Sequence, residues 1–283
     1  MTIRELKSEF QDSLIDLYPS EEVQSFFSIL SEEYLNLSRI ETVLKPDTLL
    51  SDKNIEQFKN TIKRLKDFEP IQYILGKTEF YSLPFIVNQD VLIPRPETEE
   101  LVDWIINDFK DTEKISILDI GTGSGCIGIS LAYNIKNARV SVLDVSEKAL
   151  SVAKENTLIN KVDITFLKED ILKGNQLPQK YNIIVSNPPY VRISEKEAMK
   201  NNVLKHEPGL ALFVENNDPL LFYEKIASLA QTYLLPEGCL YFEINEYLGN
   251  DMKQLLKNKG FKDVDIKKDM FGKDRMVKCR KDG

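Results

Sequence analysis

The chain has 283 residues, enough for one large domain and a smaller one, and its 42% hydrophobic residues support a sizeable core. A formal net charge of -8 disfavours a protein that wraps duplex nucleic acid, because such binding depends on lysine and arginine side chains that neutralise phosphates. A single histidine, His206, which we interpret as a surface residue, and three scattered cysteines largely exclude a Ser-His-Asp relay, a disulfide framework and a zinc cluster.

Over residues 1–75 the apolar residues recur at helical spacing, and no strand-like alternation interrupts them. Ser38 with Glu41 matches a capping box, and Ser51 or Asp52 marks another helix start. This part predicts a small helical bundle. The N-terminus lacks an apolar signal core, and no run approaches the ~20 apolar residues of a membrane span, so we expect a cytoplasmic protein without a membrane segment.

Short β-prone runs broken by Pro84, Asn88 and Pro94 predict a hairpin-like linker over residues 76–96. Helical and strand patterns then alternate, with strands expected at 115–120, 140–143, 164–167, 181–186 and 239–244 and a terminal strand pair at 264–266 and 276–279. Apolar strands separated by helices are typical of an α/β, doubly wound parallel sheet. We therefore predict a Rossmann-like domain after the bundle and linker, with its ligand site beyond the carboxyl ends of the strands.

A glycine-rich motif, Asp119-Ile120-Gly121-Thr122-Gly123-Ser124-Gly125, lies where the first strand of this domain turns into a helix. Glycines lack a Cβ atom, so the backbone there can turn tightly and come close to a ligand. The motif predicts a cofactor loop. Gly123, Gly125 and Gly128 also match the spacing of dinucleotide-binding folds, and a tight turn without a ligand is the structural alternative.

Acidic residues follow the next two strands. Asp144 comes directly after the strand at 140–143, where a carboxylate can accept ribose hydroxyls of nicotinamide and adenosylmethionine ligands alike. A role as turn residue or helix cap beside Ser146 is the alternative. Asp170 follows the third strand and is either an acceptor for an adenine amino group or part of a solvated Glu169-Asp170 turn.

The most informative motif is Asn187-Pro188-Pro189-Tyr190, which follows the apolar strand at 181–186. The two prolines make the backbone rigid, so the Asn187 side-chain oxygen and the Pro188 carbonyl can accept both hydrogens of one NH₂ group, with the Tyr190 ring against a planar substrate. These acceptors suit methylation of an amide or aromatic amine, because a delocalised nitrogen lone pair needs orientation and charge stabilisation. An ordinary Asn-Pro loop is the alternative.

Together these motifs resemble those of the HemK/PrmC family, the N5-glutamine methyltransferases of class I peptide chain release factors. The resemblance runs through most of the chain from residue 70 onward, and its most specific part is the linker Leu92-Ile93-Pro94-Arg95-Pro96-Glu97-Thr98-Glu99. Further segments fall in the family's order, namely Pro70 to Gly76, Glu207-Pro208, Pro236-Glu237-Gly238 and Gly272-Lys273-Asp274-Arg275.

The resemblance implies a Rossmann-like, S-adenosylmethionine-dependent methyltransferase domain over residues 97–283 and a substrate-recognition domain over residues 1–75. It implies that S-adenosyl-L-methionine is contacted by Gly121, Thr122, Gly123, Ser124, Gly125, Asp144 and Asn187. We also expect Asp119, Asp170 and Ile171 in the cofactor site. The substrate glutamine is then held by Asn187, Pro188, Pro189 and Tyr190, with Asn187, Pro188 and Tyr190 as catalytic residues. The expected product is S-adenosyl-L-homocysteine, the expected partner is a release factor rather than a nucleic acid, and no metal is expected.

Two positions depart from the family pattern. Ile171 stands where the family often has an aromatic residue, which leaves stacking on adenine open, and Glu243-Ile244-Asn245 stands where it often has Glu-x-Gly. The residues alone also allow a nucleic-acid base methyltransferase, a nicotinamide-dependent oxidoreductase or a non-catalytic adenosine-binding module. The acidic composition counts against the first, and the Asn-Pro-Pro-Tyr motif has no role in the second.

Overall fold

The computed structural model describes residues 1–112, 114–174, 176–199 and 201–283. The chain forms two compact units, the helical unit (Met1–Leu75 with Asn201–His206) and the sheet unit (Gly76–Lys200 with Glu207–Gly283). The α-helices of the described residues are α1 (Ile3–Leu14), α2 (Ser20–Leu35), α3 (Arg39–Leu44), α4 (Asp52–Lys66), α5 (Ile71–Leu75), α6 (Pro96–Phe109), α7 (Cys126–Asn134), α8 (Glu147–Asn160), α9 (Asn201–His206), α10 (Leu221–Tyr233) and α11 (Gly249–Asn258). Among them, none is long and apolar enough to cross a bilayer.

The β-strands of the same residues are β1 (Lys77–Phe80), β2 (Leu83–Ile86), β3 (Ser116–Ile120), β4 (Arg139–Asp144), β5 (Ile164–Lys168), β6 (Tyr181–Ser186), β7 (Val191–Arg192), β8 (Phe213–Val214), β9 (Leu234–Glu243), β10 (Lys262–Lys268) and β11 (Asp274–Arg280). The strands predicted from apolar runs are all present. β9 begins earlier than predicted. The sequence did not indicate a strand over Leu234–Gly238 because this run contains a proline and a glycine, which are uncommon inside strands.

Helix starts in the helical unit follow the predicted capping signals. Ser38 caps α3 in a capping box with Glu41, and Ser51 caps α4. The core contains three mutually contacting aromatic rings, those of Phe10, Phe27 and Phe58. The helical bundle predicted from the spacing of apolar residues is confirmed.

The interpretation of His206 as a surface residue is wrong. Its side chain is 10% exposed, and its Nε2 atom lies 2.9 Å from the carbonyl oxygen of Asp67. The preceding Lys205 pairs through Nζ with the Asp67 carboxylate at 3.2 Å. Helix α9 thus belongs to the helical unit although the chain has already passed through β1 to β7, a return that the periodicity of the sequence does not predict.

The sheet unit is built on a sheet whose strand order, within the described residues, is β10-β11-β9-β6-β3-β4-β5. Parallel pairs join β5 to β4, β4 to β3, β3 to β6 and β6 to β9, whereas β11 runs antiparallel to β9 and β10. The predicted α/β class with a mostly parallel sheet is confirmed.

Side chains of β3 alternate between two apolar cores on opposite faces of the sheet. Ile117 packs in the core formed with α6 and α7, whereas Leu118 and Ile120 pack in the core formed with α10 and α11. Because both faces are covered, apolar residues dominate the strands, and polar side chains gather where the strands end.

The predicted hairpin-like linker contains an antiparallel hairpin of β1 and β2, which turns at Tyr81 and Ser82 with φ values of 49° and 60°. The Tyr81 amide donates to Glu99 Oε1 at 2.8 Å, which fastens the turn to α6. Asn156 of α8 fastens the other end, since its Oδ1 atom accepts from the Ile86 amide at 2.6 Å and its Nδ2 atom donates to the Ile86 carbonyl at 3.0 Å. The hairpin is therefore an integral part of the sheet unit.

Candidate active site

A cavity of about 300 Å³ lies at the carboxyl ends of β3, β4, β5 and β6. Its wall includes residues of the glycine-rich motif, of the turns after β4 and β5, and of the Asn-Pro-Pro-Tyr motif. These segments meet because parallel strands in register end at the same edge, where Ile120 lies beside both Leu143 and Ser186. The volume is that of a small-molecule binding site.

The glycine-rich motif leaves β3 in a backbone conformation that favours glycine. Gly121, Gly123 and Gly125 have φ values of 72°, 56° and 83°. Gly128 is required for another reason, since a Cβ atom there would lie 2.6 Å from Val142 Cγ1 and hold α7 away from β4. Gly125 caps α7 and lies outside the cavity wall. The members of the motif that line the cavity are Ile120, Gly121, Thr122, Gly123 and Ser124.

Asp119 is fully buried beneath this motif and does not line the cavity. Its Oδ2 atom accepts from Thr122 Oγ1 at 2.6 Å and from the Gly128 amide at 3.1 Å, which braces the turn between β3 and α7. Burial raises the pKa of the Asp119 carboxyl to about 7, in opposition to these hydrogen bonds. Asp119 was expected to contact the methyl donor. The structure instead places it as a support of the glycine-rich loop.

Asp144 lines the cavity and also orders the backbone around it. Its Oδ2 atom accepts from the Gly123 amide at 2.9 Å, and its Oδ1 atom accepts from the Ser146 amide at 2.9 Å. Burial raises its pKa, while these backbone donors act in the opposite direction. The turn role considered from the sequence is thus present. A carboxylate oxygen can accept a second hydrogen bond, so the predicted ribose contact is compatible with it.

Asp170 and Ile171 line the cavity after β5. The Asp170 Oδ1 atom accepts from the Leu172 amide at 3.0 Å, and its Oδ2 atom pairs with Lys173 Nζ at 3.1 Å. The bond to Lys173 lowers the pKa of Asp170. Asp170 thus takes part in a turn while bordering the cavity, and its predicted contact with an adenine amino group stays a prediction. Ile171 contributes apolar surface to the cavity wall.

The Asn-Pro-Pro-Tyr motif divides between two adjacent cavities. Asn187, Pro188 and Pro189 line the main one, whereas Tyr190 lines a smaller cavity of about 50 Å³ that also has Asn187 and Pro188 in its wall. The Tyr190 hydroxyl donates to Glu243 Oε1 at 3.1 Å. The Tyr190 ring therefore lies beside the main cavity rather than in its wall. The contact with a planar substrate that we expected of this ring can occur only in the smaller cavity.

A buried chain of hydrogen bonds lies behind Asn187. Its Nδ2 atom donates to Thr98 Oγ1 at 3.3 Å, and the Thr98 hydroxyl donates to Glu243 Oε2 at 2.6 Å. Burial raises the pKa of Glu243, which is 1% exposed. Among the described residues no group donates to Asn187 Oδ1, so that oxygen is available to a ligand.

Comparisons with known proteins identify the family. The PrmC N-terminal domain model matches residues 5–76, and the methyltransferase small domain model matches residues 101–208. The release factor glutamine methyltransferase of Flavobacterium psychrophilum is 50% identical over 98% of this chain and 99% of its own. That of Bacteroides thetaiotaomicron is 44% identical over 94% of this chain and 96% of its own. The chain belongs to the release factor glutamine methyltransferase family.

Solved structures show the same fold in other methyltransferases. One from Pyrococcus furiosus is 18% identical, with a TM-score of 0.53 over 80% of this chain and 100% of that chain. The 16S rRNA N2 G1207 methyltransferase of T. thermophilus, solved with AdoMet and guanosine, is 16% identical, with a TM-score of 0.53 over 72% of this chain and 49% of its own. The predicted methyltransferase fold is confirmed, and the family membership supports the release factor interpretation over the base methyltransferase alternative.

Reasoning from the sequence missed many residues in the cavity wall of this methyltransferase, among them Arg95 and Phe222. Arg95 lines the cavity and pairs through Nη2 with the buried Glu207 carboxylate at 2.6 Å. The sequence could have indicated Arg95, because Arg95 and Glu207 both belong to segments that resemble the family's motifs. Phe222 of α10 also lines the cavity. It gave no signal, because an aromatic residue in an amphipathic helix is usually part of the core.

Replacing Asp119 with asparagine tests its role beneath the loop. The folded-state pKa of Asp119 lies above the ordinary value, so the folded protein binds the additional proton between about pH 4 and about pH 7 and loses stability as the pH rises through that window. Asp119→Asn removes this loss. We expect the free energy of unfolding of the variant, relative to the wild type, to increase by up to about 1.4 kcal/mol per pH unit there.

Urea unfolding at about pH 5, 6 and 7 measures this difference. Asp163→Asn, at an exposed position, is the control for the replacement of one aspartate. Parallel pH profiles for Asp119→Asn and the wild type would contradict the assignment of a protonated, buried support to Asp119.

Proposed function

We propose that the protein transfers a methyl group from S-adenosyl-L-methionine to the side-chain amide nitrogen (N5) of the glutamine in the Gly-Gly-Gln motif of class I peptide chain release factors, with S-adenosyl-L-homocysteine as the product. The proposal rests on one observation above all. Asn187, whose side chain carries the acceptor oxygen, borders the same cavity as the glycine-rich motif and Asp144. The relatives named as release factor glutamine methyltransferases support the choice of substrate.

The residues present fit the methyl donor. Asp144 keeps acceptor capacity for ribose hydroxyls, and Gly121 to Ser124 expose backbone close to the cavity without Cβ atoms at two positions. Leu143, Ile171 and Phe222 offer apolar surface to an adenine ring. When bound there, S-adenosyl-L-methionine supplies a methyl group on a positively charged sulfur. Asp119 and Gly125 act beneath the loop and keep its shape.

Asn187 and Pro188 perform the substrate side of the chemistry. An amide nitrogen is a weak nucleophile because its lone pair is shared with the carbonyl group. The Asn187 side-chain oxygen and the Pro188 carbonyl accept the two hydrogens of the glutamine NH₂ group, which orients the nitrogen and stabilises the positive charge that develops on it. Pro189 keeps this segment rigid, and Tyr190 borders the substrate side. The methylated nitrogen is a strongly acidic cation that releases one proton to solvent, so the scheme uses neutral oxygen acceptors and needs neither a strong base nor a metal ion.

The helical unit is proposed to recognise the release factor. Its match to the PrmC N-terminal domain and its own compact core support an independent recognition role. The formal net charge of -8 argues against direct binding to nucleic acid. The catalytic step is assigned to the sheet unit alone, since all residues of the cavity wall belong to it.

Methylation of a purified class I release factor tests the function. We expect peptide mass spectrometry to find a single methyl group on the glutamine of the Gly-Gly-Gln loop, and none on a release factor whose loop glutamine is replaced by glutamate. Asn187→Ala should reduce kcat by roughly 10² to 10³, because the lost acceptor acts on charge that develops in the transition state.

Asn134→Ala is the matched control for this variant, since the Asn134 side chain bonds within α7 to the Ser130 carbonyl. Circular dichroism verifies that both variants fold. Methyl transfer only to DNA or RNA bases, with the release factor unmodified, would refute the proposed substrate and favour a base methyltransferase.

Asp144→Ala tests donor binding separately. The variant loses a charged acceptor for ribose and two bonds that order the loop, so calorimetry should show S-adenosylhomocysteine binding weakened by roughly 10-fold to 10²-fold. Asp163→Ala is the control at an exposed aspartate. Unchanged affinity in a folded Asp144→Ala protein would limit Asp144 to the turn.

A further inference from the structure

Glu243 is a buried carboxylate to which the proposed chemistry gives no task. It is the last residue of β9, and Phe242 before it pairs with Ser186, the last residue of β6. The register therefore places Glu243 level with Asn187, the residue that follows β6. Thr98, in the first turn of α6, lies between them and contacts both. A carboxylate buried at this depth destabilises the folded protein unless its oxygens accept hydrogen bonds.

Both oxygens of Glu243 do accept hydrogen bonds, one from the Thr98 hydroxyl at 2.6 Å and one from the Tyr190 hydroxyl at 3.1 Å. The shorter distance lies within the ordinary range for a hydroxyl that donates to a carboxyl oxygen. A threonine hydroxyl has one proton, so a Thr98 that donates to Glu243 has only acceptor capacity left for Asn187. The Asn187 amide must then present its NH₂ group to Thr98 and direct its oxygen elsewhere.

We propose that Thr98 is a positioning residue for methyl transfer, and that its hydrogen bond to Glu243 holds the Asn187 side-chain oxygen toward the substrate nitrogen. This inference rests on the proposed function, in which that oxygen accepts from the substrate NH₂ group. The reverse orientation presents the Asn187 NH₂ group to the substrate NH₂ group. Two donors that face each other cannot form a hydrogen bond. The pair Thr98 and Glu243 thus selects one of two orientations that have nearly the same shape.

Thr98→Val tests the proposal, because valine keeps the shape and removes the hydroxyl. We expect kcat for the release factor to fall by roughly 10-fold to 10²-fold, less than in Asn187→Ala, while the Kd for S-adenosylhomocysteine stays within about twofold of the wild type. Thr98→Ser should restore kcat, since it returns the hydroxyl. Thr157→Val is the matched control, a helical threonine whose hydroxyl bonds only to the Lys154 carbonyl among the described residues and should leave kcat unchanged.

A double-mutant cycle separates positioning from general damage. If Thr98 acts through Asn187, then Thr98→Val lowers kcat by less than about twofold in an Asn187→Ala background. Glu243→Met frees the Thr98 hydroxyl to donate to the Asn187 oxygen and should lower kcat as Thr98→Val does. Should Glu243→Met fail to fold, the Thr98 variants decide. Full additivity in the cycle, or a Thr98→Val enzyme within about twofold of wild-type kcat, would overturn the proposal.

A measurement without substrate keeps this proposal apart from the proposed function. In ¹⁵N-labelled protein, the Asn187 NH₂ signals are assigned by their absence in Asn187→Ala. We expect slowed hydrogen exchange at that NH₂ group in the wild type and in Thr98→Ser, and fast exchange in Thr98→Val. Slowed exchange in a wild-type protein that methylates no release factor would refute the proposed substrate but leave the hydrogen bond between Asn187 and Thr98 in place. Equal exchange rates in the wild type, Thr98→Ser and Thr98→Val would refute that hydrogen bond.

Discussion

The parallel register of four neighbouring strands determines which residues meet at the candidate site. β4, β3, β6 and β9 run in one direction, and the last pairs recorded between them join Ile120 to Leu143, Ile120 to Ser186 and Ser186 to Phe242. The residues at the ends of these strands therefore meet at one edge, and they are Gly121, Asp144, Asn187 and Glu243. A slip of one residue in any strand would exchange these groups with core side chains, because successive residues of a strand point to opposite faces. Core packing on both faces thus also fixes the geometry of the site.

The polar groups at this edge serve the fold and the chemistry through the same bonds. Asp119 and Glu243 are both buried, and neither would be tolerated without donors. The donors of Asp119 are the Thr122 hydroxyl and the Gly128 amide, so its burial also shapes the glycine-rich loop. The donors of Glu243 include Thr98, so its burial also orients the proposed acceptor side chain. Hydrogen bonds to buried acidic side chains are thus one means by which this protein preorganises its site.

Much of this architecture is readable from the sequence because it depends on local patterns. Continuous apolar runs predicted the parallel strands, Ser38 and Ser51 predicted helix starts, and the Gly-rich and Asn-Pro-Pro-Tyr motifs predicted the segments of the cavity wall. Long-range contacts were not readable. The return of α9 to the helical unit, the support role of Asp119 and the contact of Thr98 with Glu243 join residues whose proximity only the folded chain creates.

A crystal structure of the protein with S-adenosylhomocysteine and a peptide containing Gly-Gly-Gln tests the central claim most directly. The account predicts that the glutamine side chain enters the cavity of the sheet unit with its amide nitrogen about 3 Å from both Asn187 Oδ1 and the Pro188 carbonyl oxygen. It also predicts the nucleoside against Asp144. A glutamine whose carbonyl oxygen, rather than its nitrogen, faces Asn187, or a peptide bound outside this cavity, would contradict the account.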